Sequence, residues 1–176
     1  AQEILDAYVD IMFDQLRQTS FDLAMGEFLL DLCVGTAVMM VMPGDEVTPV
    51  RFTAVPQYLV AIEEGANGVI DNVYRKLRVK GESIQREFPD VQMTPDLEDA
   101  MIRRPSEELD LFDAIIFDQE TGRYHYHVVW PAKAQELVYR EMESSPFIVA
   151  RYSKTAGEVY GRGPLGDAIA DIKTLK

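Results

Sequence analysis

Positive charge is scarce in this chain. Seventeen lysines and arginines stand against thirty aspartates and glutamates, a formal net charge of −13 over 176 residues. A surface made to grip nucleic-acid phosphates needs the opposite balance, so sequence-specific binding of DNA or RNA is not expected. An acidic wall can still line a passage for DNA, because like charge keeps a moving polyanion from sticking. Cysteine is almost missing too: Cys33 stands alone, which forbids an internal disulfide and suits a reducing compartment. Its place in the apolar series Phe28, Leu29, Leu32, Cys33 reads as a buried small hydrophobe, not a reactive thiol. No stretch approaches the ~18 apolar residues of a membrane helix, and no charged-then-apolar leader opens the chain. A soluble, unexported protein with no membrane partner is expected. The first residues lack a Met and the last run on in a helical pattern, so the expectation is a piece excised from a larger subunit.

What is present is the material of a folded domain. Hydrophobic residues make up 47% and aromatics 10%, well clear of disordered composition, and the length suits one domain with its own core. Ile4, Leu5, Tyr8, Val9, Met12 and Leu16 recur at helical spacing and predict an amphipathic helix over 3–18. Thr19 or Ser20 then caps a second helix, with Asp22 in its first turn, Phe21, Met25, Phe28, Leu29 and Leu32 on its buried face, and Gly35 at its end. From Thr36 the period changes. The unbroken apolar run 37–42 predicts a strand buried on both faces, stopped by Pro43-Gly44-Asp45. Strands over 50–55, 58–62 and 69–79 continue an antiparallel meander, the last two joined by a hairpin at Asn67-Gly68. Ser83 to Phe88 reads as helical, and Thr94 caps a short helix opened by Pro95 and running to Ile102. Strands over 111–117 and 123–130 flank a second hairpin at Asp118 to Gly122, and strands over 136–142 and 147–152 follow. A final helix begins at Pro164. There is no internal repeat, so one α+β domain spanning 1–176 is expected: helices over about 3–34, strands over about 36–79, short helices over about 83–103, strands over about 110–152, and the start of a helix over about 164–176.

Candidate chemistry is thin. His125 and His127 are two apart on a strand and share a face, roughly 7 Å apart by the strand rise. Such a pair could hold a transition metal, but no third ligand has a recognisable spacing, and a partly exposed strand face is the simpler reading. Asp110, Asp113, Asp118 and Glu120 could be drawn together as a hydrolase metal site, yet clusters of that density arise from composition alone in so acidic a chain. Gly161-Arg162-Gly163 ahead of a helix has the look of an anion-binding turn. It lacks both the Lys-Ser/Thr of a P-loop and the third glycine of the dinucleotide fingerprint; a tight turn with Pro164 opening the helix accounts for it. No nucleophile, metal or cofactor arrangement stands out, and Ser144-Ser145-Pro146 is a turn signal. Arg151, Lys154 and Arg162, close in sequence to Tyr152 and Tyr160, form the nearest thing to a local basic group. The plain reading is solvated or salt-bridged side chains beside two packed aromatics; arginine and tyrosine are also the residues that anchor protein interfaces, which makes these five candidate inter-subunit contacts.

The segment from Ser144 to Lys176, with Tyr160-Gly-Arg-Gly-Pro164 after an apolar strand and Asp171-Ile-Lys-Thr-Leu175 in a helix, resembles the head-to-tail connector, or portal, proteins of short-tailed bacteriophages. Phe28-Leu-Leu-Asp-Leu-Cys-Val-Gly-Thr-Ala37 is similar to that family's helix-to-strand passage, Val50-Arg-Phe-Thr-Ala-Val-Pro56 to its following strand, and Asp71-Asn-Val-Tyr-Arg-Lys76 to a later one. Gln85-Arg-Glu-Phe-Pro89 belongs with them, while Leu165-Gly-Asp167 departs from the pattern. The resemblance runs from about Phe21 to the end and is least distinctive over 94–143. It implies a wing-type region of a portal subunit, assembled as a dodecameric ring at one capsid vertex. Double-stranded DNA would pass through that ring in packaging and ejection without sequence-specific binding. The implied partners are capsid, tail-adaptor and terminase proteins, the place is the virion after assembly in the host cytoplasm, and no catalytic residue or cofactor is called for. The rival readings are a phage-derived metal-dependent nuclease or hydrolase and an adaptor or scaffold module that forms no pore.

Overall fold

The computed structural model describes residues 2–45 and 47–174. The chain packs as two compact units, one formed by 1–57 together with 146–176 and the other by Tyr58–Ser145. Both are α+β with antiparallel sheets, the expected class.

The first unit begins with helices α1 (Gln2–Arg17) and α2 (Phe21–Val34). Strands β1 (Thr36–Pro43), β2 (Val50–Val55) and β8 (Phe147–Arg151) form a three-stranded sheet in the order β2-β1-β8. As the central strand, β1 pairs Met39 with Ala54 on one side and with Ile148 on the other. The long apolar run follows from that position, and Thr36 to Met40 and Met42 are all buried. Ala24 and Phe28 of α2 pack on Ala37 and Met39, with Met25, Leu32, Val41, Phe52 and Ala54 around them. Phe21 meets Phe52 edge to face at 5.1 Å. Burying a side chain the size of Phe28 contributes about 2–3 kcal/mol. Two expectations for α2 are corrected. Leu29 is 50% exposed and Cys33 only partly buried, because the face turned to the sheet runs through Phe21, Ala24, Met25, Phe28 and Leu32, and Leu29 and Cys33 lie to one side of it. The Ser20 hydroxyl, at the cap position, donates to Phe52 O at 2.8 Å and does not cap; Thr19 Oγ1 accepts from the Phe21 N–H at 3.2 Å. The unit closes with α5 (Pro164–Thr174), whose predicted continuation through Leu175 and Lys176 lies outside the described residues.

The second unit is a five-stranded meander in chain order: β3 (Val60–Glu64), β4 (Ile70–Lys80), β5 (Glu108–Asp118), β6 (Arg123–Trp130) and β7 (Gln135–Met142). The meander expected over 37–79 is therefore divided: it breaks after β2, and Tyr58 and Leu59 belong to a 3-10 turn over Gln57–Leu59 and not to the strand. The two hairpins form where expected, with Gly68 and Gly122 at φ of 74° and 70°, values glycine adopts without steric cost. Helices α3 (Ile84–Glu87) and α4 (Pro95–Arg103) connect β4 to β5, and Thr94 Oγ1 caps α4 by accepting from the Leu97 N–H. Val73, Val79, Leu109, Leu111, Ile115, Val128 and Trp130 alternate along their strands and are buried, as are Ile84, Phe88, Leu97 and Ala100.

Candidate assembly surface on a clasped C-terminal loop

The residues after β8 return to the junction between α2 and β1 and are held there by hydrogen bonds from their backbone N–H groups. The Tyr152 N–H donates to Gly35 O at 2.8 Å, the Gly163 N–H to Val34 O at 3.1 Å, and the Gly161 N–H to the buried Thr36 Oγ1 at 2.7 Å. Three glycines make this approach possible. A Cβ on Gly161 would sit 2.3 Å from Gly35 O, one on Gly163 2.2 Å from Cys33 O, and one on Gly35 2.2 Å from Gly161 O. Gly35 also has φ 150°, whereas neither Gly161 nor Gly163 has a positive φ. The two glycines before Pro164 are there for close packing, not for a special turn.

This clasp gathers the five predicted contact residues on one looped segment. Ser153 and Arg162 form an antiparallel bridge, with the Arg162 N–H donating to Ser153 O at 2.8 Å. Across the loop, Arg151 Nη1 donates to Val159 O at 3.2 Å. The Arg162 guanidinium makes a two-pronged pair with Glu158, Nε to Oε2 at 2.9 Å, and these hydrogen bonds hold the Glu158 carboxyl below its usual range. Tyr152 is 60% exposed, and Lys154, Tyr160 and Arg162 are also at the surface. Arg151 is half-buried by its bond to the loop. The segment presents aromatic and cationic side chains on a backbone fixed at both ends.

In the second unit, the structure assembles a polar network that the sequence reading passed over. Asp113 is fully buried, and its carboxylate accepts from Arg75 Nε at 3.0 Å, from Arg75 Nη2, and from Tyr126 Oη at 2.9 Å. Desolvation opposes the charge on Arg75, but the attraction and hydrogen bonds of Asp113 outweigh it and hold the guanidinium above its ordinary pKa. Burial, with the adjacent Asp113 charge, drives the Tyr126 phenol far upward. Arg140 lies over the Tyr126 ring and pairs with Asp90 through both guanidinium prongs. A signal was available: Asp113 falls in phase with Leu109, Leu111 and Ile115, where only a partnered charge is tolerable.

The other candidates separate. Asp110 pairs with Arg78 at 2.8 Å, and Asp118 closes its hairpin by accepting from the Glu120 N–H and Thr121 Oγ1. His125 Nδ1 lies 2.8 Å from Tyr139 Oη, and His127 Nδ1 lies 2.6 Å from Glu136 Oε1. Both rings pack beside Tyr139, forming a strand-face cluster. Among the described residues, no three His, Cys, Asp or Glu side chains are arranged to hold a metal ion, and no helix is long and apolar enough to cross a membrane.

Two antiparallel sheets, one carrying a clasped loop of surface arginines and tyrosines, define an α+β protein whose distinctive features are packing surfaces. Comparison with protein families matches residues 1–176 to the bacteriophage head to tail connecting proteins, and the chain belongs to that family. It is thus a structural connector protein of the phage virion. No curated protein matches the chain.

Proposed function

We propose that this chain forms part of the portal ring through which double-stranded DNA enters and leaves the capsid and to which the tail attaches. Membership of the head to tail connecting family over all of 1–176 carries the reading. On this reading the chain has no catalytic role, and its work is geometric. Copies associate through a heterologous contact that closes into a ring of about twelve subunits, and acidic walls let DNA slide. Capsid, tail-adaptor and terminase proteins dock on the ring, which assembles in the host cytoplasm. The two units act together as one α+β module of a larger, wing-bearing subunit, with Tyr58–Ser145 inserted between β2 and β8 of the other unit. Arg151, Tyr152, Lys154, Tyr160 and Arg162 contribute to the contact between neighbours.

Negative-stain electron microscopy of the full-length gene product tests this. Rings with a central hole support the proposal. A monomer or dimer at every concentration overturns it, and metal-dependent nuclease assays would follow.

A further inference from the structure

We propose that α1 of one copy packs its apolar face against the outer stripe of α2 in a neighbouring copy. Leu23, Leu30 and Val34 form that stripe on the side of α2 turned away from its own sheet, at 70%, 71% and 55% exposure. With Ala24 and Phe28 buried on the opposite side, α2 is apolar on two opposite faces, more than its own sheet covers and the pattern of a helix packed on both sides in its working state. Gly26 lies beside the stripe, and a Cβ there would meet nothing within 4 Å. A glycine inside a helix is unfavourable by about 1 kcal/mol, and nothing in the chain's own packing calls for it. It leaves a notch that lets another helix approach closely.

The matching surface is on α1. Leu5, Tyr8 and Met12 are 63%, 64% and 63% exposed, although α2 follows after a three-residue turn, so the two helices do not cover each other within one chain. The six side chains of the two faces, Leu5, Tyr8, Met12, Leu23, Leu30 and Val34, are 55–71% exposed. At on the order of 100 Å² each, they total about 600 Å². That is the top of the ~300–600 Å² range for the largest patch of an ordinary monomer and supplies about half of the ~1,200 Å² at which stable interfaces begin.

Charge and symmetry favour a second copy as the occupant. At 100° per residue, Asp6, Asp10 and Asp14 lie on the side of α1 opposite Leu5, Tyr8 and Met12, and Glu27 and Asp31 are the charges beside the α2 stripe. Joining these faces therefore sets no acids against acids, even though each chain carries −13. Each copy offers one donor face and one different acceptor face, so the contact is heterologous and propagates around a ring. The inference rests on the ring reading above.

The test is sedimentation velocity of the chain beside Gly26→Leu and Leu30→Glu, with disulfide trapping between separately prepared Leu5→Cys and Leu30→Cys chains in a Cys33→Ala background. The open space at Gly26 lets Leu enter without disturbing the fold, and circular dichroism checks this. The expected result is association of the unsubstituted chain, at least tenfold weaker association of both variants with no loss of resistance to unfolding, and a disulfide joining the two different chains. A monomeric unsubstituted chain, unchanged association of the variants, or trapping only within a doubly substituted chain would overturn the inference. Rings of the full-length protein that persist with Gly26→Leu would end this inference while leaving the ring reading standing; no rings from the unsubstituted protein would end the ring reading.

Discussion

Gly163→Ala should unfasten the C-terminal clasp. The added Cβ would lie 2.2 Å from Cys33 O, 2.5 Å from Val34 C and 2.6 Å from Cys33 C. All three are backbone atoms, so no rotamer can relieve the clash. Overpacking of this kind costs about 1–3 kcal/mol, and displacing the segment also removes the Gly163 bond to Val34 O, worth about 1 kcal/mol. The combined loss of about 2–4 kcal/mol corresponds to a roughly 30- to 700-fold shift in local opening. Hydrogen exchange at the amides of Tyr152, Gly161 and Gly163 reads that opening directly, and proteolysis within 153–162 reports it independently. Gly166→Ala is the control, since nothing lies within 4 Å of its Cβ position in α5; it should leave the clasp intact and stabilise the helix by up to about 1 kcal/mol. Unchanged exchange in Gly163→Ala, or equal opening in both variants, would refute the argument that the glycines serve close approach.

Asp113→Ala strands the buried Arg75 charge and should destabilise the second unit by about 3–5 kcal/mol. Tyr126→Phe, which leaves the ion pair in place, should cost about 1–2 kcal/mol. Urea titrations followed by Trp130, buried on β6 of the same unit, check both the size and the order of these losses. Acid should weaken the fold in a defined window. The hydrogen bond from Arg140 holds the Asp90 carboxyl below its ordinary value, and the one from Arg78 does the same for Asp110. Their contribution is present above the unfolded value near ~4 and is lost as pH falls through the depressed folded values, so Asp90→Asn should flatten the decline in urea midpoint below about pH 4. Arg162→Glu faces Glu158 in an exposed pair, so it should leave the unfolding midpoint nearly unchanged while reducing ring yield in micrographs of the full-length protein.

The legible parts of this fold are those set by neighbours in the chain. The run 37–42 declared a strand buried on both faces, Asn67-Gly68 and Asp118 to Gly122 declared hairpins, and Thr94-Pro95 declared a capped helix start; each forms as read. Which strands share a sheet was not legible, because β2 and β3 have similar patterns and are separated by a few residues around Pro56, while the pairing of β1 with β8 spans more than a hundred positions. That separation carries no local signal. The glycines at 161 and 163 marked a special backbone site, but their role depends on Cys33 and Val34, which only the tertiary fold brings close. Asp113 is the converse case: its phase with Leu109, Leu111 and Ile115 is readable in the sequence, whereas its partners Arg75 and Tyr126 come from other strands and only the fold brings them to it.

Salt dependence separates the two surfaces proposed for assembly. Copies bearing −13 each repel, and that repulsion reaches about 10 Å at 0.1 M salt but only about 3 Å at 1 M. An interface made mainly by the apolar faces of α1 and α2 loses little attraction to salt, while the opposing repulsion is screened, so association should tighten as salt rises. An interface made mainly by Arg151, Lys154 and Arg162 against a neighbour's acids should loosen, because exposed ion pairs are the contacts that salt screens. Sedimentation of the chain at 0.1 M and 1 M sodium chloride decides between them. Tighter association at high salt assigns the dominant contact to the helices, with the arginine loop fixing orientation. Weaker association would refute the helix-driven account and return the main contact to the clasped loop.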